Sequence, residues 1–170
     1  MQYSHYLRFG MAVWFTAAVA PDLAVAEAGD GDLGLNVYGL SYHWDRELAE
    51  QNGWDNEFNP GLGARYRMGS WLNADAIVDA GIYRDSGRNT AVYAATGLLW
   101  PLDEAKRFHL GATLTAFHSD TYNQGKAFIV PVPLLTVRFD KVTLNLTHFP
   151  KVGTLNEIHT TALFFTFPLR

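Results

Sequence analysis

The sequence contains no cysteine among its 170 residues, which excludes disulfide bonds and thiol chemistry. Acidic residues (17) outnumber lysine and arginine (13), the formal net charge is −4, and no polybasic segment occurs, so a nucleic-acid partner is not expected. The six histidines are scattered without the spacing of metal ligands, so neither a metal nor another cofactor is expected. After residue 26 no apolar run is long enough for a transmembrane helix. If the mature chain lies in a membrane, it must therefore cross it as a barrel.

Residues 1–26 have the pattern of a secretory signal peptide. Arg8 supplies the positive charge, residues 11–20 form a short apolar region, and Ala24-Val25-Ala26 matches a small-x-small cleavage site. The alternative is an uncleaved N-terminal anchor, although the apolar region is too short to span a bilayer as a helix. We therefore expect one mature domain at residues 27–170, beginning near Glu27.

After this segment, apolar and polar residues alternate with the period of two that is typical of barrel strands. In the clearest strand, an apolar face from Leu72 to Ile82 backs a polar face from Asn73 to Asp85. Aromatic residues make up 14% of the chain, as expected for girdles at two bilayer interfaces. The pattern predicts an all-β fold, an eight-stranded antiparallel transmembrane β-barrel, with strands at residues 33–44, 59–68, 71–85, 90–100, 108–118, 127–138, 142–148 and 158–169. A soluble secreted β-sandwich would show similar alternation.

The predicted connections alternate in length. Those at residues 68–70, 101–106 and 139–141 are short, whereas those at 45–58, 119–126 and 149–157 are longer and polar. Outer-membrane barrels have short periplasmic turns and long outer loops, so the ends of strands one and three lie on the same outer rim. In strand one, Tyr38, Leu40, Tyr42 and Trp44 share one face. The other face carries His43, which with Asp85 is therefore expected to point into the barrel.

Several short motifs, in order and spacing, match a known family. They are Ser41-Tyr42-His43-Trp44-Asp45-Arg46 followed by Pro60-Gly61-Leu62-Gly63, then Asp85-Ser86, Phe108-His109-Leu110-Gly111, the run from Ile129 to Leu135, and Phe149-Pro150. With these motifs the chain resembles the lipid A palmitoyltransferases of the bacterial outer membrane, the PagP family, over residues 37–153.

The resemblance implies an eight-stranded barrel with a hydrocarbon pocket in its upper interior. It implies transfer of a palmitoyl-type chain from a phospholipid donor to a lipid A acceptor, among membrane lipids of the bacterial outer membrane. The family's essential histidine, aspartate and serine match His43, Asp85 and Ser86. Gly97 matches a glycine at the pocket floor that helps set acyl-chain length, and Gly81 is another small interior residue that favours a cavity. Three prolines match family prolines that flank gaps in the barrel wall, namely Pro131, Pro133 and Pro150. A lipid tail could enter through such gaps.

A histidine, a carboxylate and a hydroxyl are the parts of acyl-transfer chemistry. In this hypothesis His43 acts as general base on the attacking hydroxyl or on Ser86, and Asp85 orients or charge-stabilises the imidazole. Ser86 acts as an oxyanion donor or as the nucleophile. The simpler interpretations are a rim histidine and a turn-forming Asp-Ser pair ahead of Gly87.

Other charged residues have more general roles in the predicted barrel. Arg46, Arg84 and Arg88 near the rim are candidates for binding lipid A phosphates. Arg65 and Arg67 are expected to point inward and to pair with Asp75 or Asp79 of the next strand. His118-Ser119-Asp120 is interpreted as the start of a loop.

Two other functions are compatible with a small barrel. A lipid A deacylase would use a histidine and a serine at i, i+2 on one strand face, and the chain has no His-x-Ser. A non-enzymatic structural or adhesive barrel of the OmpX type would have no empty acyl pocket. For the acyltransferase we expect a monomer.

Overall fold

The computed structural model describes residues 32–153 and 155–169, so the predicted signal peptide lies outside the described residues. The elements are β1 (Asp32–His43), α1 (Arg46–Gln51), β2 (Phe58–Trp71), β3 (Ala74–Arg84), β4 (Thr90–Pro101), β5 (Phe108–His118), β6 (Phe128–Arg138), β7 (Thr143–Phe149) and β8 (Thr160–Leu169). Each strand pairs antiparallel with the next, and β8 pairs with β1. The predicted eight-stranded antiparallel barrel is confirmed, and the closed sheet is not a β-sandwich.

The outer surface of the barrel is apolar, and the interior is mixed. Every strand exposes large apolar side chains, among them Leu40, Leu62, Ile82, Leu114 and Phe167. Within the described residues no helix has the length and apolar composition needed to cross a membrane.

The hairpin between β2 and β3 differs from the prediction. The predicted turn at 68–70 belongs to β2, where the register shifts between Arg67 and Gly69 as in a β-bulge. The strands continue to the pair Trp71 and Ala74, and the turn consists of Leu72 and Asn73, both at positive φ (52° and 59°). Two positive φ values in succession are the geometry of a type I′ hairpin turn. Glycine at position 69 suggested a turn, but it serves a bulge with φ 125°.

A second bulge determines which residues of β1 face inward. The register of β1 shifts between Tyr38 and Leu40 against both neighbouring strands. Against β8, Gly39 is the extra residue, whereas against β2 the extra residue lies in β2, between Phe58 and Gly61. Because of this shift, Asn36 and Tyr38 face inward before the bulge and His43 faces inward after it. The prediction that Tyr38 shares the outward face of Leu40 was therefore wrong, whereas the inward orientation of His43 is as expected.

The lower interior is closed by a polar cluster. Arg65 donates to both carboxylate oxygens of Asp79 at 2.9 and 2.8 Å and to Asn145 Oδ1 at 2.8 Å. Arg67 lies 3.7 Å from Asp75. The predicted pairing is confirmed for Arg65. Arg67 instead donates to Asp32 of β1, at 2.9 and 2.5 Å, and only approaches Asp75. A small apolar core of Ile77, Leu99, Leu134 and Phe164 lies in the same interior, and the Arg65 guanidinium lies 5.7 Å from the Phe164 ring.

Candidate functional site

His43 and Ser86 meet at the barrel end that carries the connections 44–57, 85–89, 119–127 and 150–159, called here the loop rim. The Nε2 atom of His43 lies 2.9 Å from Ser86 Oγ, and both residues are buried, with exposures of 2% and 4%. His43 is brought inward at the end of β1 by the Gly39 bulge, and Ser86 follows β3 in a tight turn. The distance is that of a hydrogen bond between a base and a hydroxyl nucleophile.

The carboxylate nearest to the imidazole is Glu57 rather than Asp85. Glu57 Oε1 lies 3.8 Å from His43 Nδ1, an atom with no hydrogen-bond partner among the described residues. The same oxygen accepts from the His43 backbone N–H at 3.4 Å. Arg46 donates to both oxygens of Glu57 at 3.3 Å. Such long approaches tighten in many enzymes once the substrate is bound.

Asp85 is held by a different set of partners. Its carboxylate accepts from the Ser119 hydroxyl and from the Asn89 backbone N–H, the latter at 2.9 Å. The backbone of Asp85 also bonds Asn89 and Arg88, closing the turn. Among the described residues Asp85 forms no hydrogen bond or ion pair with His43. The expected contact with the imidazole is therefore not formed, and the geometry of Asp85 is that of a residue that braces the turn carrying Ser86.

Sequence reasoning missed Glu57 and Ser119 as contributors to this site. Glu57 directly precedes β2, and the start of β2 lies beside the end of β1. The predicted pairing of these two strands could therefore have indicated that Glu57 lies near His43. Ser119 was interpreted as the start of a loop, which is its position, but it is fully buried. No local pattern indicates that it bonds Asp85, 34 positions earlier.

Tyr122 lines the same cavity as Ser86 and belongs to an aromatic cluster. Tyr122 contacts Trp54 and Phe117, with ring centroids 5.4 and 5.7 Å apart. Burial raises the pKa of Tyr122 to about 12, and the neighbouring Ser86 side chain opposes part of that rise. Tyr122 therefore stays protonated at physiological pH and keeps a donor beside Ser86.

A cavity of about 190 Å³ extends from Ser86 into the barrel. Its walls are mainly apolar and aromatic, and its deeper part reaches Asp79, Ala95, Thr113, Leu134 and Phe164. Tyr38 and Tyr93, whose hydroxyls are hydrogen-bonded to each other, also line it. The cavity thus has a polar entrance and an apolar body, the form expected for a site that holds a long hydrocarbon chain.

Neither of the two candidate glycines lines this cavity. Gly97 lies one inward-facing position below Ala95, and a Cβ built there would meet Thr113 Cγ2 at 2.7 Å. Gly81 is covered by tyrosines, because a Cβ there would meet Tyr38 Oη at 2.7 Å and Tyr93 Cε1 at 2.9 Å. Gly97 permits close packing against β5, and Gly81 makes room for the two tyrosine rings. The geometry thus gives both glycines a packing role, and their binding of substrate stays a prediction.

The barrel wall is incomplete between β6 and β7. β7 pairs with β6 only from Leu134 to Arg138, so residues 128–133 have no β7 partner. Pro131 lies in this unpaired stretch and Pro150 directly follows β7, and both line the cavity. Pro133 is at the edge of the unpaired stretch, and its carbonyl accepts from Thr147 at 2.9 Å. Proline has no N–H to donate to a neighbouring strand, which fits its position beside an opening.

The rim arginines are engaged with carboxylates of the loops. Besides its contact with Glu57, Arg46 lies 5.0 Å above the Tyr42 ring. Arg88 donates to Asp55 at 2.9 and 3.2 Å, and this bond lowers the pKa of Asp55. Both guanidinium groups remain about half exposed or more. Among the described residues no cluster of three or more His, Asp or Glu could hold a metal ion.

Comparison with known proteins shows similarity in the fold. No family model matches the chain, and no curated protein matches it. The solution NMR structure of a de novo designed protein, TMB2.3, is 12% identical with a TM-score of 0.55, covering 84% of this chain and 98% of the designed one. The Yersinia pestis outer membrane protein Ail, determined in a phospholipid bilayer nanodisc, is 12% identical with a TM-score of 0.51, covering 82% of this chain and all of Ail (100%). At this identity the likeness concerns the barrel fold alone.

Proposed function

We propose that the protein is an acyltransferase of the bacterial outer membrane that moves a palmitoyl-type chain from a phospholipid to lipid A. The observation that carries the proposal is the buried His43–Ser86 pair, 2.9 Å apart at the entrance of an apolar cavity inside a closed barrel. A non-enzymatic barrel needs neither a buried base–hydroxyl pair nor an unfilled apolar interior beside it. The apolar outer surface supports insertion in a membrane, and we propose that the barrel acts as a monomer.

The chemistry follows from the positions of the two side chains. In one route His43 Nε2 takes the proton of Ser86 Oγ, which attacks the donor ester and releases a lysophospholipid carrying that proton. A lipid A hydroxyl then takes the acyl group from Ser86, and its proton passes through His43 to the released Ser86 Oγ. In the other route His43 deprotonates the lipid A hydroxyl directly, while Ser86 donates to the developing oxyanion. The imidazolium then gives that proton to the departing lysophospholipid oxygen. The 2.9 Å contact is compatible with both routes.

The cavity provides a place for the acyl chain. A tail that enters through the gap between β6 and β7, beside Pro131 and Pro150, would lie along the apolar lining with its ester near Ser86. We propose that Arg46 and Arg88, on the same rim, then bind the lipid A phosphates. Because both arginines are already paired with carboxylates, phosphate binding must compete with those ion pairs.

The test is the mass of lipid A from cells that express the protein in their outer membrane. We expect a gain of one acyl chain with the wild type, and no gain with His43→Ala or Ser86→Ala. His118→Ala is the matched control, because His118 is an exposed histidine at the rim end of β5, and it should retain the gain. A loss of mass would indicate a deacylase. Unchanged lipid A with a folded barrel present would favour the non-enzymatic function.

A further inference from the structure

Asn59 is a buried amide without any hydrogen-bond partner in the described chain. Its exposure is 7%, and neither Nδ2 nor Oδ1 is bonded to another described atom. Leaving a buried amide unpaired costs free energy, and native proteins rarely tolerate it. By contrast, Asn36 lower in the barrel is equally buried and bonds both Asp79 and Thr166. The unpaired state of Asn59 is therefore a feature that needs a ligand or a function to explain it.

The position of Asn59 relates it to the His43–Ser86 pair. Asn59 lies at the rim end of β2 and on the inward face that continues through Gly61 and Arg65. The β2–β3 register ends at the pair Gly61 and Tyr83. Continued by two residues, the same register would place Asn59 opposite Asp85, next to Ser86. Asn59 and Ser86 both line the cavity, so the free amide and the reactive hydroxyl border the same space.

Ser41 adds a second unpaired polar atom on the other side of Asn59. Its Oγ is buried without a partner among the described residues, and the residue lines the cavity. The Ser41 backbone N–H donates to the Glu57 carbonyl at 2.9 Å, which ties this part of β1 to the start of β2. The entrance of an otherwise apolar cavity thus contains several polar groups that border one place, and a hydrocarbon tail alone would satisfy none of them.

We propose that the Asn59 side chain binds the ester group of the acyl donor, with Nδ2 donating to the carbonyl oxygen that becomes the oxyanion. The inference rests on the proposed acyltransferase function, to which it adds the oxyanion-binding residue. With the Asn59 amide at the carbonyl oxygen, Ser86 Oγ, 2.9 Å from His43 Nε2, is free to act as the nucleophile. Asn59 is thereby a catalytic residue that contacts the reacting ester.

The experiment uses Asn59→Leu, a change of similar size that removes the amide. With dipalmitoyl phosphatidylcholine vesicles as donor and lipid A as acceptor, we expect kcat to fall about 10² to 10³-fold, as for loss of one oxyanion donor, with little change in KM. The unfolding midpoint should stay the same or rise, because an unpaired buried amide is removed. The control Asn36→Leu removes an amide whose Nδ2 and Oδ1 are both bonded, and its midpoint should fall. Wild-type kcat in Asn59→Leu, or a lower midpoint together with lost activity, would overturn the assignment.

A second measurement separates failure of this inference from failure of the proposed function. Hexadecylphosphonate mimics the tetrahedral, negatively charged state of an ester under attack. We expect it to raise the unfolding midpoint of the wild type by mass action and to have much less effect on Asn59→Leu. If the wild type transfers no acyl chain but the phosphonate protects it in an Asn59-dependent way, the acyltransferase proposal fails and the Asn59 site stands. Equal protection of both proteins would refute the site whatever the activity.

Discussion

Two carboxylates lie near the reactive pair, and only one of them faces the imidazole. Glu57 lies 3.8 Å from His43 Nδ1, whereas the Asp85 carboxylate bonds Ser119 and the Asn89 N–H. A carboxylate beside an imidazole stabilises its protonated form during proton transfer. A carboxylate that closes a turn acts instead on the placement of the next residue, here Ser86.

This difference predicts opposite behaviour of two conservative variants. Glu57→Gln should lower kcat about tenfold, equivalent to about 1.4 kcal/mol, with an unchanged unfolding midpoint. The acid limb of its pH–rate profile should move to lower pH, because the neutral amide no longer favours the imidazolium. Asp85→Asn should lower stability by about 1.5–3 kcal/mol, the range for hydrogen bonds to charged groups, without moving that limb. A shifted limb in Asp85→Asn and none in Glu57→Gln would restore the imidazole-orienting role to Asp85.

The position of Ala95 in the cavity wall leads to a second prediction at the scale of single residues. Ala95 lines the deep part of the cavity, so Ala95→Met should fill that part and shorten the transferred acyl chain, seen as a smaller mass gain of lipid A. Gly97→Ala should instead cost about 1–3 kcal/mol of stability through overpacking, because its Cβ would press on Thr113. A shorter acyl chain in Gly97→Ala, with normal stability, would show that the cavity floor lies at Gly97.

At the scale of elements, β1 depends on one extra residue to present His43 inward. Because side chains alternate along a strand, removal of one residue exchanges the inward and outward faces. Deletion of Gly39 should therefore turn His43 away from Ser86 and abolish acyl transfer, while the strand content is kept. Gly39→Ala preserves the number of residues, and a Cβ there meets nothing within 4 Å, so it should remain active. Turnover and far-UV circular dichroism on both variants check this, and an active deletion variant would contradict the role given to the bulge.

The strands could be predicted from the sequence because alternation is a local property. The predicted bounds of β5 match the structure, and the rim position of His43 followed from strand parity and loop length. The bulge in β1 could not be predicted, because Tyr38 is as suitable for an aromatic girdle as for the interior. Nothing in the sequence of β1 therefore marks the change of face. Contacts between distant loops, such as Ser119 with Asp85, depend on how the connections fold over the rim. Spacing along the chain carries no information about them.

At the scale of the whole molecule, an apolar outer surface combines with a polar lower interior. In water such an arrangement is unfavourable, since apolar side chains are exposed while Arg65 and Asp79 are buried. In a bilayer the outer surface is solvated by lipid tails, and the interior polar groups satisfy one another away from the lipid. The energetic role of an exposed leucine therefore depends on whether it lies in the lipid-facing wall or in a turn.

Two leucines of nearly equal exposure test this arrangement. Leu114 lies in the middle of β5 and is 57% exposed, whereas Leu102 follows β4 in a turn and is 58% exposed. In phospholipid vesicles Leu114→Arg should lower the free energy of unfolding by about 2–4 kcal/mol, the cost of a cation near the bilayer midplane, and Leu102→Arg by about 0–1 kcal/mol. On a water-exposed barrel both substitutions would be close to neutral. Equal and small effects in vesicles would therefore contradict membrane insertion of this wall, and with it a donor lipid entering the cavity from the side.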